Sequence, residues 1–302
     1  MSGTGVRGDF LRPIKDILRE EYWNIAYRFC GDNETFLDGK GGTFAVLPES
    51  KRYWYADPFL FEHGGKMYLF VEMFDNVTEK GLVGVSVLGE NGFSVPEVVL
   101  EESFHLSYPY VFEEGGEIYM MPETMGDGCI QLYKAVDFPK KWQKHTVLAG
   151  EKGMVDTVIC GNWLIASRVT DPAKKETQLQ LFDRYTGEPH PINKSLQSNQ
   201  ISRGAGRIFE REGKLIRPAQ NCSGGIYGAG LVFYSVDKIS DDCYSETEVF
   251  RLEPSQISLS KGSPAEGVHT YARCGNVEIV DIKKYRFNFK RVCWILGKYL
   301  GR

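Results

Sequence analysis

Acidic and imidazole side chains recur at the start of similar segments in this 302-residue chain. The first segment starts at Asp57, the third at Asp156 and the fifth at His269, while Tyr108 and Ala205 start the second and fourth. Two carboxyl groups can serve as the acid and the base of a hydrolytic reaction, and an imidazole can hold or move a proton. The segment starts therefore predict acid–base chemistry, provided that the fold brings them together.

The residues that close the same segments form a second polar set: Glu72, Glu123, Arg168, Gln220 and Asp281. A polar side chain within an apolar strand costs free energy unless it is paired or hydrated. This set therefore predicts a polar central cleft. The alternative is a ring of structural salt bridges, such as Glu123 with Arg168, that stabilises contacts between the repeats.

Each segment has the layout of a β-hairpin, with an apolar strand, a tight glycine turn and a second strand. The segment from Asp57 reads DPFLFEHGGKMYLFVE, and the one from Tyr108 reads YPYVFEEGGEIYMMPE. The starts are 51, 48, 49 and 64 residues apart (57→108→156→205→269). A period of about 50 residues accommodates about four short strands, which make one propeller blade. We therefore predict an all-β fold, a five-bladed β-propeller whose inner strands gather the segment starts at one mouth of a central funnel.

The ends of the chain complete this architecture. Residues 10–29 have apolar side chains at helical spacing, which predicts an N-terminal helix with a strand near Trp23–Tyr27 as its continuation. The fifth repeat is too short for four strands, so residues around 23–48 are expected to complete its blade and close the ring. The predicted organisation is residues 1–30 as tail and helix, 31–290 as propeller and 291–302 as a basic tail.

Composition excludes several classes of protein. A net charge of −4 does not favour nucleic-acid binding. The seven cysteines lack zinc-ligand spacing and are expected to be reduced thiols. A secretory h-region and a long apolar run are both missing from the sequence, which favours a cytoplasmic location. The C-terminal segment mixes basic and apolar residues, which predicts packing on the ring or, alternatively, peripheral contact with an anionic membrane face.

The opening Ala56-Asp57-Pro58, followed by an apolar strand and Gly-Gly, resembles the first blade of the five-bladed, arabinanase/xylosidase-type (family 43-like) glycoside hydrolases. The resemblance implies that Asp57 is a general base, that Asp156 orients, and that His269 helps to hold a central ion such as a structural calcium; no other metal or cofactor is implied. The general acid of that family is a glutamate on a later blade. Because this chain has no glutamate at that position, Glu123 is the best substitute.

A longer part of the chain, about residues 45–285, resembles the N-terminal domain of glucosamine inositolphosphorylceramide transferases and bacterial relatives in surface-polysaccharide clusters. The motifs that carry this resemblance include Ser107-Tyr108-Pro109, Met121-Pro122-Glu123-Thr124, Arg203-Gly204-Ala205-Gly206-Arg207, Arg217-Pro218-Ala219-Gln220 and Gly267-Val268-His269-Thr270. The two arginines Arg207 and Arg217 suit bidentate binding of an anionic sugar or a phosphate. Their alternative role is a salt bridge between blades.

Together these observations predict a carbohydrate-active propeller that acts on a cell-surface polysaccharide or glycolipid precursor by hydrolysis or glycosyl transfer. Asp57 is the predicted base or nucleophile, Glu123 the acid and Asp156 the orienting residue. The predicted substrate-binding residues are Glu72, Tyr108, Arg168, Arg207, Arg217, Gln220 and His269, and the residues predicted at the surface are His63, His105, His145 and His190. The alternatives are a non-catalytic glycan-binding or scaffold module of a polysaccharide biosynthesis system and a protein-interaction propeller that uses its rim.

Overall fold

The computed structural model describes residues 19–240 and 242–287, which form 21 strands and five short 3-10 helices. The first strands are β1 Arg19–Phe29, β2 Thr43–Val46, β3 Tyr53–His63, β4 Lys66–Asp75, β5 Lys80–Gly89, β6 Gly92–Phe93, β7 Glu97–Leu100, β8 Ser107–Glu114, β9 Glu117–Glu123, β10 Ile130–Asp137 and β11 Lys141–Ala149. The others are β12 Met154–Cys160, β13 Trp163–Asp171, β14 Glu176–Asp183, β15 Phe209–Arg211, β16 Lys214–Asn221, β17 Gly230–Ser240, β18 Cys243–Leu252, β19 Ser258–Leu259, β20 Tyr271–Cys274 and β21 Val277–Phe287. The helices are Phe36–Asp38, Met125–Asp127, Pro191–Lys194, Ser223–Gly225 and Pro254–Gln256.

The described strands form five sheets, and each sequence repeat supplies one hairpin to a different sheet. Sheet I contains β3 to β7, sheet II β8 to β11, sheet III β12 to β14, sheet IV β15 to β18, and sheet V β1, β2 and β19 to β21. The hairpins are antiparallel, and their turns use glycines with positive φ, such as Gly64 and Gly65 in the first repeat. The predicted all-β fold and the repeat hairpins are confirmed.

Sheet V joins the two ends of the described chain. Strand β1 pairs with β21 along its whole length, from Arg19 opposite Phe287 to Phe29 opposite Val277, and β2 pairs with the other edge of β1. The N-terminal strands therefore complete the last sheet, as the short fifth repeat predicted. This pairing leaves no long exposed edge where the ring closes.

The predicted N-terminal helix is wrong for residues 19–22, which begin strand β1, whereas the strand predicted near Trp23–Tyr27 is confirmed. Six consecutive residues of β1, from Trp23 to Arg28, are buried, because the strand is covered on both faces. A run of this kind satisfies its backbone through β21 and β2, and this pairing overrides the helical spacing of its apolar residues. The strand belongs to the propeller, so the predicted boundary at residue 30 is also wrong. Residues 10–18 and the predicted tail 291–302 lie outside the described residues.

Aromatic side chains fill the space between the sheets. Tyr55, Phe59, Phe70, Phe182 and Phe233 are among the largest fully buried side chains. The six cysteines in the described ranges form no disulfide. Among the described helices, none has the length and hydropathy that crossing a membrane requires.

Candidate functional site

The first residues of repeats one to three share a backbone conformation that residues with a side chain rarely adopt. The φ angles are 50° at Asp57, 48° at Tyr108 and 52° at Asp156. In each repeat the register between the two hairpin strands shifts at this point, which marks a β-bulge. A bulge turns its side chain out of the regular alternation. The same β-bulge therefore orients the first side chain of each of these three repeats in an equivalent direction.

Hydrogen bonds connect the repeat starts across sheet boundaries. The Tyr108 backbone N–H donates to Asp57 Oδ2 over 3.1 Å, and the Thr270 hydroxyl donates to Asp57 Oδ1 over 2.9 Å. The Tyr108 hydroxyl donates to the Gly206 carbonyl and accepts from the Gly206 N–H. Repeats one, two, four and five therefore meet at the funnel mouth. A side chain at Gly206, whose φ is +132°, would collide with the Tyr271 carbonyl, so this close approach requires glycine.

Asp57 lies at the centre of this network, with only 5% of its surface exposed. His269 Nε2 is 3.4 Å from its Oδ1 atom. Burial raises the pKa of Asp57 to about 7; His269 opposes this shift, and the charges of Glu72 and Asp156 add to it. An aspartate with this pKa can exist in both protonation states near neutral pH.

Asp281 holds the fifth repeat against Asp57. Its Oδ1 accepts from the backbone N–H groups of His269 and Thr270, both over 2.9 Å, and its Oδ2 accepts from the Asp57 N–H over 3.1 Å. His269 Nδ1 is 2.6 Å from Asp281 Oδ2. Burial alone would lower the pKa of His269, but the charges of Asp281 and Asp57 raise it above its ordinary value. His269 thus lies between two carboxyl groups whose charges favour its protonated form.

The same three side chains offer ligand atoms within 4.8 Å of one another, so they test the expected calcium near His269. Calcium takes six to eight oxygen ligands. Here both oxygens of Asp281 already accept backbone N–H groups, and Asp57 accepts from Tyr108 and Thr270. His269 offers a nitrogen and not an oxygen, and the charges of Asp281 and Asp57 favour its protonated form, which cannot bind a cation. These residues therefore do not fit a calcium ion, and we derive no step through one.

Glu123 and Asp156 face a shared arginine, Arg203. The Arg203 Nε donates to Asp156 Oδ2 over 2.5 Å, and its Nη2 is 3.7 Å from Glu123 Oε2. Burial raises the pKa of Glu123 to about 8, with a further contribution from the charge of Asp156; Arg203 opposes the shift. The Glu123 Oε2 atom is buried and accepts no hydrogen bond from the described residues. Glu123 is therefore a protonated acid at neutral pH, whereas Asp156 is held by a cation.

Glu72 is buried beside His105, whose side chain is 43% exposed, in agreement with its predicted surface position. His105 Nδ1 accepts from the Gly81 N–H over 3.0 Å, so Nε2 carries the proton that faces Glu72 Oε1 at 3.3 Å. Burial alone would lower the pKa of His105, but the hydrogen bond and charge of Glu72 raise it. His190, also expected at the surface, is buried against Trp163. The site thus gains His105, which no repeat or motif singled out.

Arg168 does not reach the funnel. Strand pairing sets Ala56 opposite Glu72 and Val155 opposite Ser167, so Ser167 occupies the position equivalent to Glu72. Successive side chains of a strand point to opposite faces, and an alignment wrong by one residue reverses the face. Arg168 instead pairs with Glu151 at 3.0 Å, and both side chains are 40% exposed. The expected Glu123–Arg168 pair is thus replaced by Glu123–Arg203.

Two further arginines that were predicted to bind substrate make contacts within the protein. Arg217 is 2% exposed and makes two hydrogen bonds to Glu246, over 2.8 and 2.6 Å. Arg207 stacks on the Tyr110 ring at 4.5 Å and donates to the Val111 carbonyl. The salt-bridge alternative therefore describes Arg217, and Arg207 is held by the backbone of the second repeat.

The side chains of Tyr108 and Gln220, which were predicted to bind substrate, both donate hydrogen bonds to backbone carbonyl groups within the protein. Tyr108 is fully buried with its hydroxyl bound to Gly206, so it positions the bulges. Gln220 Nε2 donates to the Gly204 carbonyl over 2.9 Å and faces Asp156 Oδ2 at 3.4 Å. Its Oε1 atom is buried and has no hydrogen-bond partner in the part of the chain that the structure describes. Gln220 therefore lies within the polar cluster, beside Asp156.

Arg203 and Tyr227 are site residues that sequence reasoning did not select. The Arg203 guanidinium lies 5.4 Å from the centre of the Tyr227 ring, and that ring lies 5.0 Å from the His269 ring. Both residues border the carboxylates. The available signal was position, because Arg203 lies two residues before the fourth repeat start and belongs to the Arg-Gly-Ala-Gly-Arg motif.

Stability is expected to fall as pH rises from about 5 to 8. Unfolded aspartates and glutamates titrate near pH 4, whereas folded Asp57 and Glu123 titrate at about 7 and about 8, so the folded state binds more protons in this interval. The raised pKa of His269 acts in the same direction, because its stabilisation is full below about 6.5 and is lost as pH rises through its folded pKa. Urea unfolding at several pH values measures this slope. Glu123→Gln should flatten it, and an unchanged slope would contradict the assignment.

Comparison with known proteins agrees with the fold and the motifs. Residues 48–269 match the family described as "Glucosamine inositolphosphorylceramide transferase 1, N-terminal". The chain is 36% identical over 217 residues to glucosamine inositolphosphorylceramide transferase 1 of Arabidopsis thaliana, covering 67% of this chain and 28% of that protein. The Oryza sativa subsp. indica relative of the same name is 35% identical over 209 residues, covering 64% and 28%. The chain thus spans 28% of the length of the curated relatives it matches.

Solved structures of glycoside hydrolases share the fold. The catalytic domain of a GH62 α-L-arabinofuranosidase from Coprinopsis cinerea superposes with a TM-score of 0.56 at 12% identity, covering 84% of this chain and 85% of that one. A thermostable family-43 glycoside hydrolase gives a TM-score of 0.51 at 10% identity, covering 80% and 93%. At these identities the likeness concerns the β-propeller fold alone. The family match spans most of the chain, which therefore belongs to the glucosamine inositolphosphorylceramide transferase 1 N-terminal family.

Proposed function

We propose that the protein binds a glycan at the mouth of the funnel and cleaves or transfers a glycosidic bond there. The observation that carries this proposal is a pair of buried carboxyl groups with raised pKa values, about 7 at Asp57 and about 8 at Glu123. Glycosidic-bond chemistry needs one carboxyl group that donates a proton and a second that acts as base or nucleophile. The cluster supplies both from different repeats.

Glu123 is suited to the role of acid. Its carboxyl group is protonated at neutral pH, and its buried Oε2 has no hydrogen-bond partner among the described residues. A buried oxygen of this kind is costly unless a ligand or water pairs with it. The glycosidic oxygen of a bound glycan would accept the proton from this carboxyl group.

Asp57 is suited to the role of base or nucleophile. Tyr108 N–H, Thr270 Oγ1 and His269 Nε2 fix the orientation of its carboxyl group. Such fixed partners reduce the reorganisation that a reaction requires. Asp156, bound to Arg203, would orient the arginine and hold Glu123 in place through it.

The family membership supports a sugar-containing substrate. The curated relatives are named as transferases of glucosamine and inositolphosphorylceramide, and their names describe sugar and glycolipid chemistry. We extend this to the present chain as a proposal, with a cell-surface polysaccharide or glycolipid precursor as the substrate. The proposed site of action is the cytoplasmic face of a membrane.

Product formation on a panel of oligosaccharides, glycolipids and nucleotide sugars tests this function. The wild type is expected to release or transfer a sugar from at least one member of the panel. The double variant Asp57→Asn/Glu123→Gln, which keeps the size of both side chains, should give no product above the uncatalysed rate. Equal product from wild type and double variant would place the chemistry elsewhere and contradict the proposal.

A second candidate function is a non-catalytic glycan-binding module. The observation that favours it is the enclosure of Asp57, which the neighbouring side chains and backbone leave 5% exposed. The chain also matches less than a third of its curated relatives' length. Calorimetric titration with the same panel separates the two functions. Saturable glycan binding without product, in both the wild type and the double variant, would favour the binding module.

A further inference from the structure

A side pocket of about 240 Å³ opens next to the carboxylate cluster, between sheets III and IV. Arg203 and Tyr227 form its inner wall, and both also border the cluster. Val169 and Pro172 supply an apolar wall, and Lys175 lies at the rim. The pocket is large enough for a small polar group that extends from a ligand in the funnel.

Arg203, which lines the pocket, has hydrogen-bonding capacity left. Its Nε and Nη2 atoms face Asp156 and Glu123. Within residues 19–240 and 242–287, the Nη1 atom has no hydrogen-bond or ion-pair partner. A guanidinium has five N–H donors and no acceptor, so this edge suits an anionic ligand.

Lys175 supplies a second cation without a carboxylate partner. Its neighbour Lys174 pairs with Asp171 at 3.1 Å, whereas Lys175 has no ion pair in the described part of the chain. Burial raises the pKa of the Cys222 thiol in the pocket wall, and the charges of Arg203 and Lys175 both act against that shift. The charges of Arg203 and Lys175 are therefore both close enough to influence the Cys222 thiol in the pocket wall. Glu176 also lines the pocket, and its charge helps to raise the pKa of Lys174.

The arrangement of donors favours a tetrahedral oxyanion over a planar carboxylate. A carboxylate binds best to the two parallel N–H groups of an arginine fork. In Arg203 the edge containing Nε and Nη2 already serves Asp156. The donors that remain are the Nη1 edge of Arg203 and the flexible ammonium group of Lys175. Because these donors come from separate segments of the chain, they can reach different oxygens among the three outward oxygens of a phosphate group.

We propose that this pocket binds the phosphate group of a sugar phosphate whose sugar ring lies at the carboxylate cluster. The phosphate oxygens would accept from Arg203 Nη1 and Lys175 Nζ, and the Tyr227 ring would separate the phosphate from His269. The position of the sugar ring rests on the proposed function, because it assumes that the cluster binds a sugar. The phosphate site itself stands without that assumption.

Calorimetric titration with inorganic phosphate tests the pocket without any turnover assay. The wild type is expected to bind phosphate saturably, and Lys175→Ala should weaken binding about tenfold, as expected for the loss of a charged hydrogen bond. Lys174→Ala is the matched control, because it removes an adjacent exposed charge that is already paired with Asp171. Its dissociation constant should stay within about twofold of wild type. Both lysines are exposed loop residues, and circular dichroism checks that the variants fold.

Two further ligands complete the test. Glucuronate should bind at least about tenfold more weakly than phosphate, and glucose 1-phosphate should bind more tightly than phosphate alone. The phosphate site would be overturned by any one of three results. These are a wild type that does not bind phosphate, an equal loss of phosphate affinity in Lys174→Ala and Lys175→Ala, and tighter binding of glucuronate than of phosphate. Glucose 1-phosphate that binds no tighter than phosphate would overturn the sugar position alone. If the panel assay gives no product but the protein still binds phosphate, the proposed function is contradicted and the phosphate site is supported.

Discussion

Asp57→Asn is expected to lower the turnover number for glycan cleavage or transfer by about 10²–10⁴-fold, the range of a lost acid–base group. Asparagine has nearly the same size and can still accept a hydrogen bond from Tyr108 N–H. The fold should therefore persist, while the basic oxygen that faces the reacting centre is lost. The measurement is kcat on the substrate identified by the panel, together with the urea unfolding midpoint. The loss should be similar for every leaving group, because the base acts on the other side of the bond.

Glu123→Gln provides the comparison that separates the two roles. An acid matters most when the leaving group is a poor one, so this variant should lose activity on natural sugars and much less on an activated nitrophenyl glycoside. Glu117→Gln, an exposed glutamate of the same strand, serves as the control and should resemble wild type. Equal losses on both kinds of substrate would show that Glu123 is not the acid. Unchanged turnover in Asp57→Asn would remove that residue from the mechanism.

Most of the fold could be predicted from the repeat pattern. Each hairpin has a glycine turn between two apolar strands, so strand pairing inside a repeat is local and is encoded within about 16 residues. The same pattern located Asp57 and Asp156, because equivalent positions in a propeller converge. The left-handed conformation at Asp57, Tyr108 and Asp156 was not predictable, because none of these residues is a glycine.

The features that could not be predicted from the sequence depend on contacts between residues that are far apart in the chain. Strand β1 has helical spacing, but its conformation is decided by β21, whose paired residues lie about 250 positions later in the chain. Arg168 was misplaced because the third repeat is shorter, and one residue of misalignment reverses the face of a strand. Arg203 joins the site through Asp156 and Glu123, on two other sheets. Contacts of this kind depend on how sheets pack, which a repeat pattern does not encode.

Glu278→Gln is expected to destabilise the protein by about 3–5 kcal/mol, the usual effect of removing one partner from a buried ion pair. Glu278 is fully buried and lies opposite Arg28 in the β1–β21 pairing. Its Oε2 accepts from Arg28 Nε over 2.7 Å, and its Oε1 accepts from Phe36 N–H and the Tyr271 hydroxyl. The guanidinium also lies 4.9 Å from the Phe36 ring and 5.0 Å from the Phe44 ring. Without the carboxylate, a buried cation would remain uncompensated where the ring closes.

The matched control is Glu248→Gln, which breaks the exposed pair with Arg251 at 2.7 Å. Exposed pairs contribute less than about 1 kcal/mol, so the two variants should differ by at least about 2 kcal/mol in urea unfolding. The double variant Arg28→Met/Glu278→Gln removes both charges but keeps an oxygen acceptor for Phe36 N–H and the Tyr271 hydroxyl. It should recover much of the loss, because the cost arises from the unpaired charge. A Glu278→Gln effect as small as that of Glu248→Gln would contradict this account. Closure of the propeller would then depend on strand pairing alone.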